Sequence, residues 1–339
     1  MSARRPLGRR ELLYALRRTG HSMVRVRIID STAALTFFAA LTLFPASLTA
    51  ISAFAIGGGD SGAVRFIRDL IEEVFGPEAA ETARGPLEQL TSISNPGVAL
   101  GFGIVLLLWT GSAYATAFGR AANAIYGVQE GRRIWKFRSL MAIVAAVLIV
   151  GVAGAVILLI GTPKVAEAAA DVLGVGQPWI TVWLIGRWPV VFALACVLIA
   201  VLYYWTPTIE RQSVALFSWG SVVALVGWAA ATGGFIFYVA NLAHYDEVYG
   251  WLGGALVVLL WLYITNFMLL AGATLDAEFV RVQQLRDGIP AESVIQVPMR
   301  DTSRNLTIAR SLAADEADGR TIREDADRER HAAAKHIDA

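Results

Sequence analysis

The sequence predicts an all-α polytopic membrane protein with six transmembrane helices and additional amphipathic helices at the membrane surface. Two observations lead to this prediction. Of the 339 residues, 56% are hydrophobic and 17% are charged, whereas about a quarter of the residues of a soluble protein are usually charged. The apolar residues are also gathered in six long segments, and a run of about 20 such residues can cross a bilayer as a helix.

The N-terminal segment, residues 1–29, is basic and has a helical pattern. It contains eight arginines, and Leu12, Leu13, Leu16 and Met23 recur at roughly helical spacing. We expect an amphipathic helix on the cytoplasmic surface that binds anionic lipid at about 1 kcal/mol per basic residue. A nucleic-acid-binding tail is the alternative, but the net charge of +1 gives no overall attraction to nucleic acid.

The predicted membrane domain covers residues 30–280. Its six helices are predicted, in order, at 31–57, 98–118, 139–162, 188–206, 214–242 and 249–275. An outer loop, 58–96, joins the first two, and its apolar spacing predicts an amphipathic helix over residues 64–75. From residue 281 to 339, acids and bases mix with few large apolar residues. We therefore expect a disordered cytoplasmic tail or a loose surface helix there.

Basic residues in the loops predict the orientation. The loops after the second and fourth predicted helices carry Arg132, Arg133, Lys136, Arg138 and Arg211, whereas loop 58–96 is mainly acidic. Lysine and arginine in short loops are retained on the cytoplasmic side. Six spans with both termini in the cytoplasm satisfy this bias, and five or seven spans would break it.

Three stretches of the predicted membrane domain resemble a known family. The first comprises Asp30-Ser31-Thr32-Ala33-Ala34, Phe37, Phe38, Leu43, Phe44 and Pro45. The second comprises Trp109-Thr110, Arg120, Asn123, Tyr126-Gly127, Glu130 and Arg132. The third comprises Pro207, Tyr238, Tyr249-Gly250, Gly253, Trp261-Leu262-Tyr263, Gly272, Ala273, Asp276 and Glu278.

These stretches are similar to motifs of the YihY/virulence factor BrkB family of bacterial inner-membrane proteins, once mislabelled ribonuclease BN. Phe37-Phe38 departs mildly from the family pattern, which has a tyrosine there. The resemblance implies a six-helix protein of the bacterial inner membrane with an envelope-related function. Some relatives are associated with lipid export across that membrane.

Charged residues at the predicted cytoplasmic ends of the helices form a first candidate site. The central thirds of the predicted spans have no charged residue, although such residues are often functional when present. An ion-pair cluster closing the cytoplasmic mouth could consist of Asp30, Arg120, Asn123, Glu130, Arg132, Asp276 and Glu278. The alternative is that these residues are interfacial anchors and ordinary orientation signals.

Polar residues near the middle of the spans form a second candidate site. They are Thr110, Ser112, Thr232, Tyr263 and Asn266. They could line a path for a polar headgroup or solute, or they could join helices through hydrogen bonds worth about 0.6 kcal/mol each. Asn266 stands out because an amide that faces lipid would be costly.

Two glycine pairs predict places where helices approach closely. They are Gly250 with Gly254, and the adjacent Gly233 and Gly234. Because glycine has no Cβ atom, neighbouring backbones can pack against it, and a hinge is the alternative reading.

Motifs of soluble enzymes are absent from the sequence. It contains no Gly-rich phosphate loop with lysine, no His-Glu-x-x-His and no Gly-x-Ser-x-Gly. Its single cysteine, Cys196, excludes an internal disulfide, and no Cys/His zinc spacing occurs. We therefore expect no catalytic, cofactor-binding or metal-binding residues.

The family resemblance and the polar midspan residues favour a transporter or lipid-translocating protein of the cell envelope without its own ATP site. A non-transporting membrane scaffold that recruits envelope proteins through its tails is the alternative, and an intramembrane enzyme comes third. Membrane lipids are the expected partners, self-association through small-residue faces is possible, and nucleic acid is not expected to bind.

Overall fold

The structure is a computed structural model that describes residues 8–56, 95–160, 178–210, 219–241 and 252–337, with isolated positions between 68 and 85. The main helices are α1 (Arg9–Arg25), α2 (Ile28–Ile56), α3 (Pro96–Tyr126), α4 (Ile134–Ile160), α5 (Pro178–Trp205), α6 (Trp219–Asn241), α7 (Leu252–Arg286) and α8 (Ser303–Ile337). Within these ranges there is no β-strand, only an isolated antiparallel bridge between Ile209 and Met299.

Helices α2 to α7 confirm the predicted fold class, because each is long and apolar enough to cross a membrane. Several begin or end outside the predicted bounds. α3 continues to Tyr126 and α7 to Arg286, beyond the apolar segments that predicted them. Both extensions occur at the same end of the bundle, where the helices pack on one another rather than on lipid.

Local sequence sets the ends of α3. The side chain of Asn95 accepts a hydrogen bond from the Val98 N–H at 3.4 Å, and Pro96 occupies the first helical turn. At the other end Gly127 has a φ of 71°, and the Val128 N–H bonds back to the Asn123 carbonyl at 3.0 Å. The left-handed glycine thus ends α3 and starts the loop that carries candidate site residues.

The six spanning helices are arranged around a shared core. α2 packs between α3 and α7, α4 packs on α3, α5 on α4, and α6 on α7. Phe118 of α3 stacks on Tyr203 of α5 with ring centroids 6.0 Å apart, and Leu35 and Leu270 complete the centre of this core.

Both sequence ends of the described chain meet at one end of the bundle. The Ser22 hydroxyl of α1 bonds to Glu278 of α7, and the backbone around Gly131 contacts Asp301. We call this the α1 end. The N-terminal end of α2 and the C-terminal end of α7 therefore lie at the same end of the bundle.

Burial in α4 and α5 is concentrated in the halves nearest the α1 end. In α4, buried side chains occur at Phe137, Met141, Val144 and Ala145, but none of the described side chains from 146 to 159 is buried. In α5, burial begins only at Cys196, and none of the described positions 185–195 is buried. The far halves of α4 and α5 are therefore less buried than their halves at the α1 end, whereas α2 and α3 have buried side chains in both halves, such as Ile51 and Leu107.

A close approach of two helix backbones occurs at glycines other than the predicted ones. Gly220 of α6 crosses Gly272 of α7 so closely that an added Cβ on Gly272 would lie 2.5 Å from the Gly220 carbonyl oxygen. Gly233 and Gly234 instead face open space in the described structure, and Gly250 lies outside the described residues. The prediction of packing at Gly233 and Gly234 is wrong for the described residues, because, apart from the adjoining part of α6, none of their atoms lies within 4 Å of a Cβ placed on either glycine.

The tail after residue 281 also differs from its prediction. α7 extends to Arg286, and α8 is a regular helix from Ser303 to Ile337. Residues 289–302, which we call the strap, lie across the α1 end and bond to the chain after α5. Of the two alternatives expected for the tail, disorder is corrected for the strap, which backbone pairing and a buried arginine hold, and α8 corresponds to the other alternative, a surface helix. The amphipathic helix predicted over 64–75 lies almost wholly outside the described residues.

Candidate functional site

A first polar network lies in the loop after α3. Arg132 donates to Glu130 through Nε at 2.7 Å and through Nη2 at 2.8 Å, which is a two-pronged ion pair. The Asn123 amide donates to Glu130 Oε2 at 3.0 Å, and its carbonyl oxygen accepts from the Thr208 N–H at 2.8 Å. Arg132 also donates to the Thr206 carbonyl at 2.6 Å. This network joins α3 to the end of α5.

The environment lowers the pKa of Glu130. Burial by itself raises it, but two hydrogen bonds from the Arg132 guanidinium, the charge of that group and the Asn123 amide outweigh this effect. Glu130 is therefore ionised near neutral pH, and its carboxylate is held by Asn123 of α3 and by Arg132 of the following loop.

The strap covers this network from outside. Arg300 donates from its backbone to the Thr208 carbonyl at 2.8 Å and from its guanidinium to the Tyr204 carbonyl at 2.7 Å. Its guanidinium also lies 4.7 Å from the centre of the Tyr204 ring. Gly131 lies against the Asp301 backbone, where no Cβ would fit. The strap therefore ties the α3–α4 loop to the end of α5.

A second polar network joins α1, α7 and the strap. Glu278 accepts from the Ser22 hydroxyl at 2.6 Å and from Arg281 Nε at 2.7 Å. The other side of the Arg281 guanidinium donates to the Ala291 carbonyl of the strap. Glu278 and Arg281 are almost fully buried, with side chains 2% and 1% exposed. Two opposite charges thus share a dry site at the α1 end.

The residues of the predicted charge cluster do not lie together: some belong to the first network, one belongs to the second, and others lie outside both. Asn123, Glu130 and Arg132 form the first network, and Glu278 belongs to the second. Asp276 is buried and packs against Gly220 of α6. The remaining two residues are outside both networks: Asp30 pairs with Arg27 on the exposed surface, and Arg120 is exposed.

Arg281 is the central residue that the sequence pattern did not single out. It lies in the part of α7 that extends beyond the sixth predicted span, 249–275, and it is 1% exposed. Its spacing of three residues from Glu278 was the available signal, because residues three apart on a helix are neighbours.

The predicted midspan residues are partly joined by hydrogen bonds. The Tyr114 hydroxyl of α3 donates to Asn266 of α7 at 2.8 Å, and the Asn266 amide donates to the Leu262 carbonyl at 2.8 Å. Thr110 bonds to its own helix at the Leu106 carbonyl, 3.0 Å away. The Thr232 hydroxyl is buried without a hydrogen-bond partner among the described residues. Ser112 and Tyr263 are half-buried.

Metal-binding groups are not gathered at this site. Among the described residues, no three histidine, cysteine, aspartate or glutamate side chains are close enough to hold an ion. The arrangement is therefore one of ion pairs and hydrogen bonds that link helices at one end of a membrane bundle.

Comparisons with known proteins identify the family. A family model described as virulence factor BrkB matches residues 20–294. The ribonuclease-like protein YfkH of Bacillus subtilis is 26% identical over 264 residues, which are 77% of this chain and 93% of the relative. A UPF0761 membrane protein of Photobacterium profundum is 26% identical over 287 residues, covering 83% of this chain and 85% of that relative.

A further relative is longer than this chain. The UPF0761 membrane protein of Alkalilimnicola ehrlichii is 26% identical over 257 residues, which cover 72% of this chain but only 53% of the relative. No solved structure matches the chain. The family match extends over α2 to α7 and includes both polar networks, so the resemblance predicted from three stretches of sequence is confirmed, and the chain belongs to the virulence factor BrkB family of membrane proteins.

Proposed function

We propose that the chain is a transporter or lipid-translocating protein of the bacterial inner membrane, without an ATP site of its own. The observation that carries this proposal is the uneven burial of α4 and α5. A translocator keeps its path closed on one side of the membrane while the other side is accessible. Helices α4 and α5 are packed at the α1 end and have no buried side chain at the described positions 146–159 and 185–195, an asymmetry that such a protein needs.

The charges support an orientation with the α1 end in the cytoplasm. Exposed basic residues at this end are Arg9, Arg10, Arg17, Arg25, Arg133 and Lys136. Basic residues close to membrane helices are retained on the cytoplasmic side. Both termini would then lie in the cytoplasm, and the less buried halves of α4 and α5 would face the outer side.

Polar side chains at midspan offer contacts for a polar headgroup or solute. Thr232 supports this view most directly, because its hydroxyl oxygen is buried and has no partner among the described residues. A buried hydroxyl without a hydrogen bond is costly, so a polar substrate passing it would compensate that cost. Asn266 and Tyr114 bind each other and would serve mainly to hold α3 and α7 together.

The test is reconstitution of the full chain into liposomes that carry phospholipids with a fluorescent headgroup. Dithionite added outside bleaches only the outer leaflet, so protein-dependent translocation appears as additional bleaching. We expect Thr232→Val to slow this movement and Thr110→Val, whose hydroxyl bonds to its own helix, to leave it unchanged. Bleaching equal to that of protein-free liposomes, for lipids and for candidate solutes alike, would overturn the proposal.

A membrane scaffold is the second candidate function, and α8 favours it. This helix runs from Ser303 to Ile337, and its described side chains beyond Asn305 are almost all exposed. Leu306, Leu312 and Ile322 are among them, and apolar side chains on an exposed helix can dock a partner. The tail would then recruit envelope proteins while the bundle serves as an anchor.

Truncation distinguishes the two functions if the cut leaves the strap intact. Deleting residues 308–339 removes most of α8 but keeps the strap and the Arg304 N–H bond to the Gly131 carbonyl. A translocator should keep its liposome activity after this deletion, whereas a scaffold should lose its cellular function with no change in stability. A deletion from residue 288 would not discriminate, because it also removes the carbonyl that holds Arg281.

A further inference from the structure

Helix α1 presents three different faces. At 100° per residue, Ala15, Thr19 and Ser22 lie on one face, and all three are buried against the bundle. A second face carries four exposed apolar side chains: Leu12, Leu13, Leu16 and Val24. The third face carries the exposed arginines Arg10, Arg17 and Arg25. The apolar and cationic faces are adjacent on the side of α1 that the protein leaves uncovered.

The position of α1 is set by contacts with α7 and the strap. Ser22 donates to Glu278 at 2.6 Å, Glu11 pairs with Arg286 at 3.4 Å, and Arg18 donates to the Glu292 carbonyl at 3.2 Å. These bonds at both ends of α1 orient the uncovered faces with respect to the bundle.

A short turn places α1 beside the start of a spanning helix. Only two residues separate it from α2, and one of them, Arg27, has a φ of 51°. A non-glycine residue in this left-handed region costs free energy, which the surrounding contacts must offset. The exposed leucines are consequently held at the level where α2 enters the membrane.

Arginines, a leucine and a tyrosine form a patch on the uncovered side of α1. Its residues are Arg9, Arg10, Leu13, Tyr14 and Arg17. None of its three arginines forms an ion pair with an acid of the described chain. A guanidinium group can donate two parallel hydrogen bonds to phosphate oxygens, and the Tyr14 hydroxyl is a further donor. The leucine beside them offers a contact for an acyl chain.

We propose that this patch binds the phosphate of an anionic phospholipid from the leaflet at the α1 end, with Leu12, Leu13 and Leu16 buried among acyl chains. Two observations favour a lipid over a soluble anion. The cationic face adjoins an apolar face of the same helix, and six spanning helices bring the bilayer to it. Binding at this surface does not require translocation and stands independently of it.

The test uses the purified full chain in neutral detergent, titrated with phosphatidylglycerol or phosphatidylcholine and followed by native mass spectrometry. Wild type should bind phosphatidylglycerol more tightly than phosphatidylcholine. Arg10→Gln with Arg17→Gln should weaken phosphatidylglycerol binding about 30-fold, which corresponds to about 2 kcal/mol at 1.4 kcal/mol per tenfold. The matched control is Arg310→Gln with Arg323→Gln, which removes two exposed charges from α8 and should have no such effect.

A second variant separates a lipid from a free anion. Leu12→Gln with Leu16→Gln keeps every arginine but removes part of the apolar face, and it should also weaken phosphatidylglycerol binding. Inorganic phosphate and a short RNA are the competing probes. The proposal is overturned if both lipids bind equally, if the α1 and α8 arginine variants behave alike, or if the leucine variant binds as wild type does. Displacement of the lipid by either competing probe at equal concentration would likewise contradict it.

Discussion

Replacing Arg281 by methionine tests whether the second polar network holds the α1 end together. The Arg281 and Glu278 side chains are 1% and 2% exposed, and their charged groups are 2.7 Å apart. In the Arg281→Met variant the Glu278 carboxylate stays buried with only the Ser22 hydroxyl as a donor. The Ala291 carbonyl of the strap loses its guanidinium partner as well.

The expected loss of stability follows from the buried Glu278 charge that the Arg281→Met substitution leaves unpaired. Breaking a buried ion pair by removing one partner costs about 3–5 kcal/mol, because the other charge is left uncompensated. We expect about 4 kcal/mol for Arg281→Met, since the strap also loses a bond. Combining it with Glu278→Gln should restore most of this stability, because no buried charge is then left unpaired.

Unfolding of the purified full chain by SDS in mixed micelles, followed by the fluorescence of its ten tryptophans, measures this loss. The matched control is Arg320→Met on α8. Its pair with Glu316 spans 3.8 Å with side chains 71% and 72% exposed, so its loss should cost at most about 0.5 kcal/mol. Equal destabilisation by the Arg281 and Arg320 substitutions would refute the reasoning.

Three further predictions concern packing, midspan hydrogen bonding and pH. Gly272→Ala should lower the free energy of unfolding by about 1–3 kcal/mol, because its Cβ would lie 2.5 Å from a carbonyl oxygen of α6. The control is Gly233→Ala, whose Cβ would face open space, and it should be neutral or slightly stabilising in the same SDS titration. Asn266→Leu and Tyr114→Phe should each cost about 0.6–1.7 kcal/mol, and a double-mutant cycle should show that the losses do not add, since both remove one hydrogen bond. The lowered pKa of Glu130 means that its stabilising contribution is present above its ordinary pKa of 4.5 and is lost as pH falls through the folded value. SDS midpoints measured on acidification should therefore fall less for Glu130→Gln than for wild type.

The charged residues show how far sequence reasoning reached. Asn123, Glu130 and Arg132 lie within ten residues of one another, and a helix end followed by a short loop brings them together. Their grouping was therefore predictable from the sequence. Asp30 and Arg120 were added to the predicted cluster only because they lie at helix ends on the same predicted side of the membrane. Whether a charge at a helix end turns inward depends on neighbouring helices, which the local pattern does not contain.

The sequence by itself determined the lipid environment, the six crossings and the family, because hydropathy and segment length act locally and each spanning helix satisfies its own backbone. Tertiary structure alone decided that Arg281 is buried, that Gly220 meets Gly272 and that the strap closes the α1 end. The bond from Ser22 to Glu278 joins residues 256 positions apart. Such a pairing depends on how helices pack in space, and spacing along the chain carries no information about it.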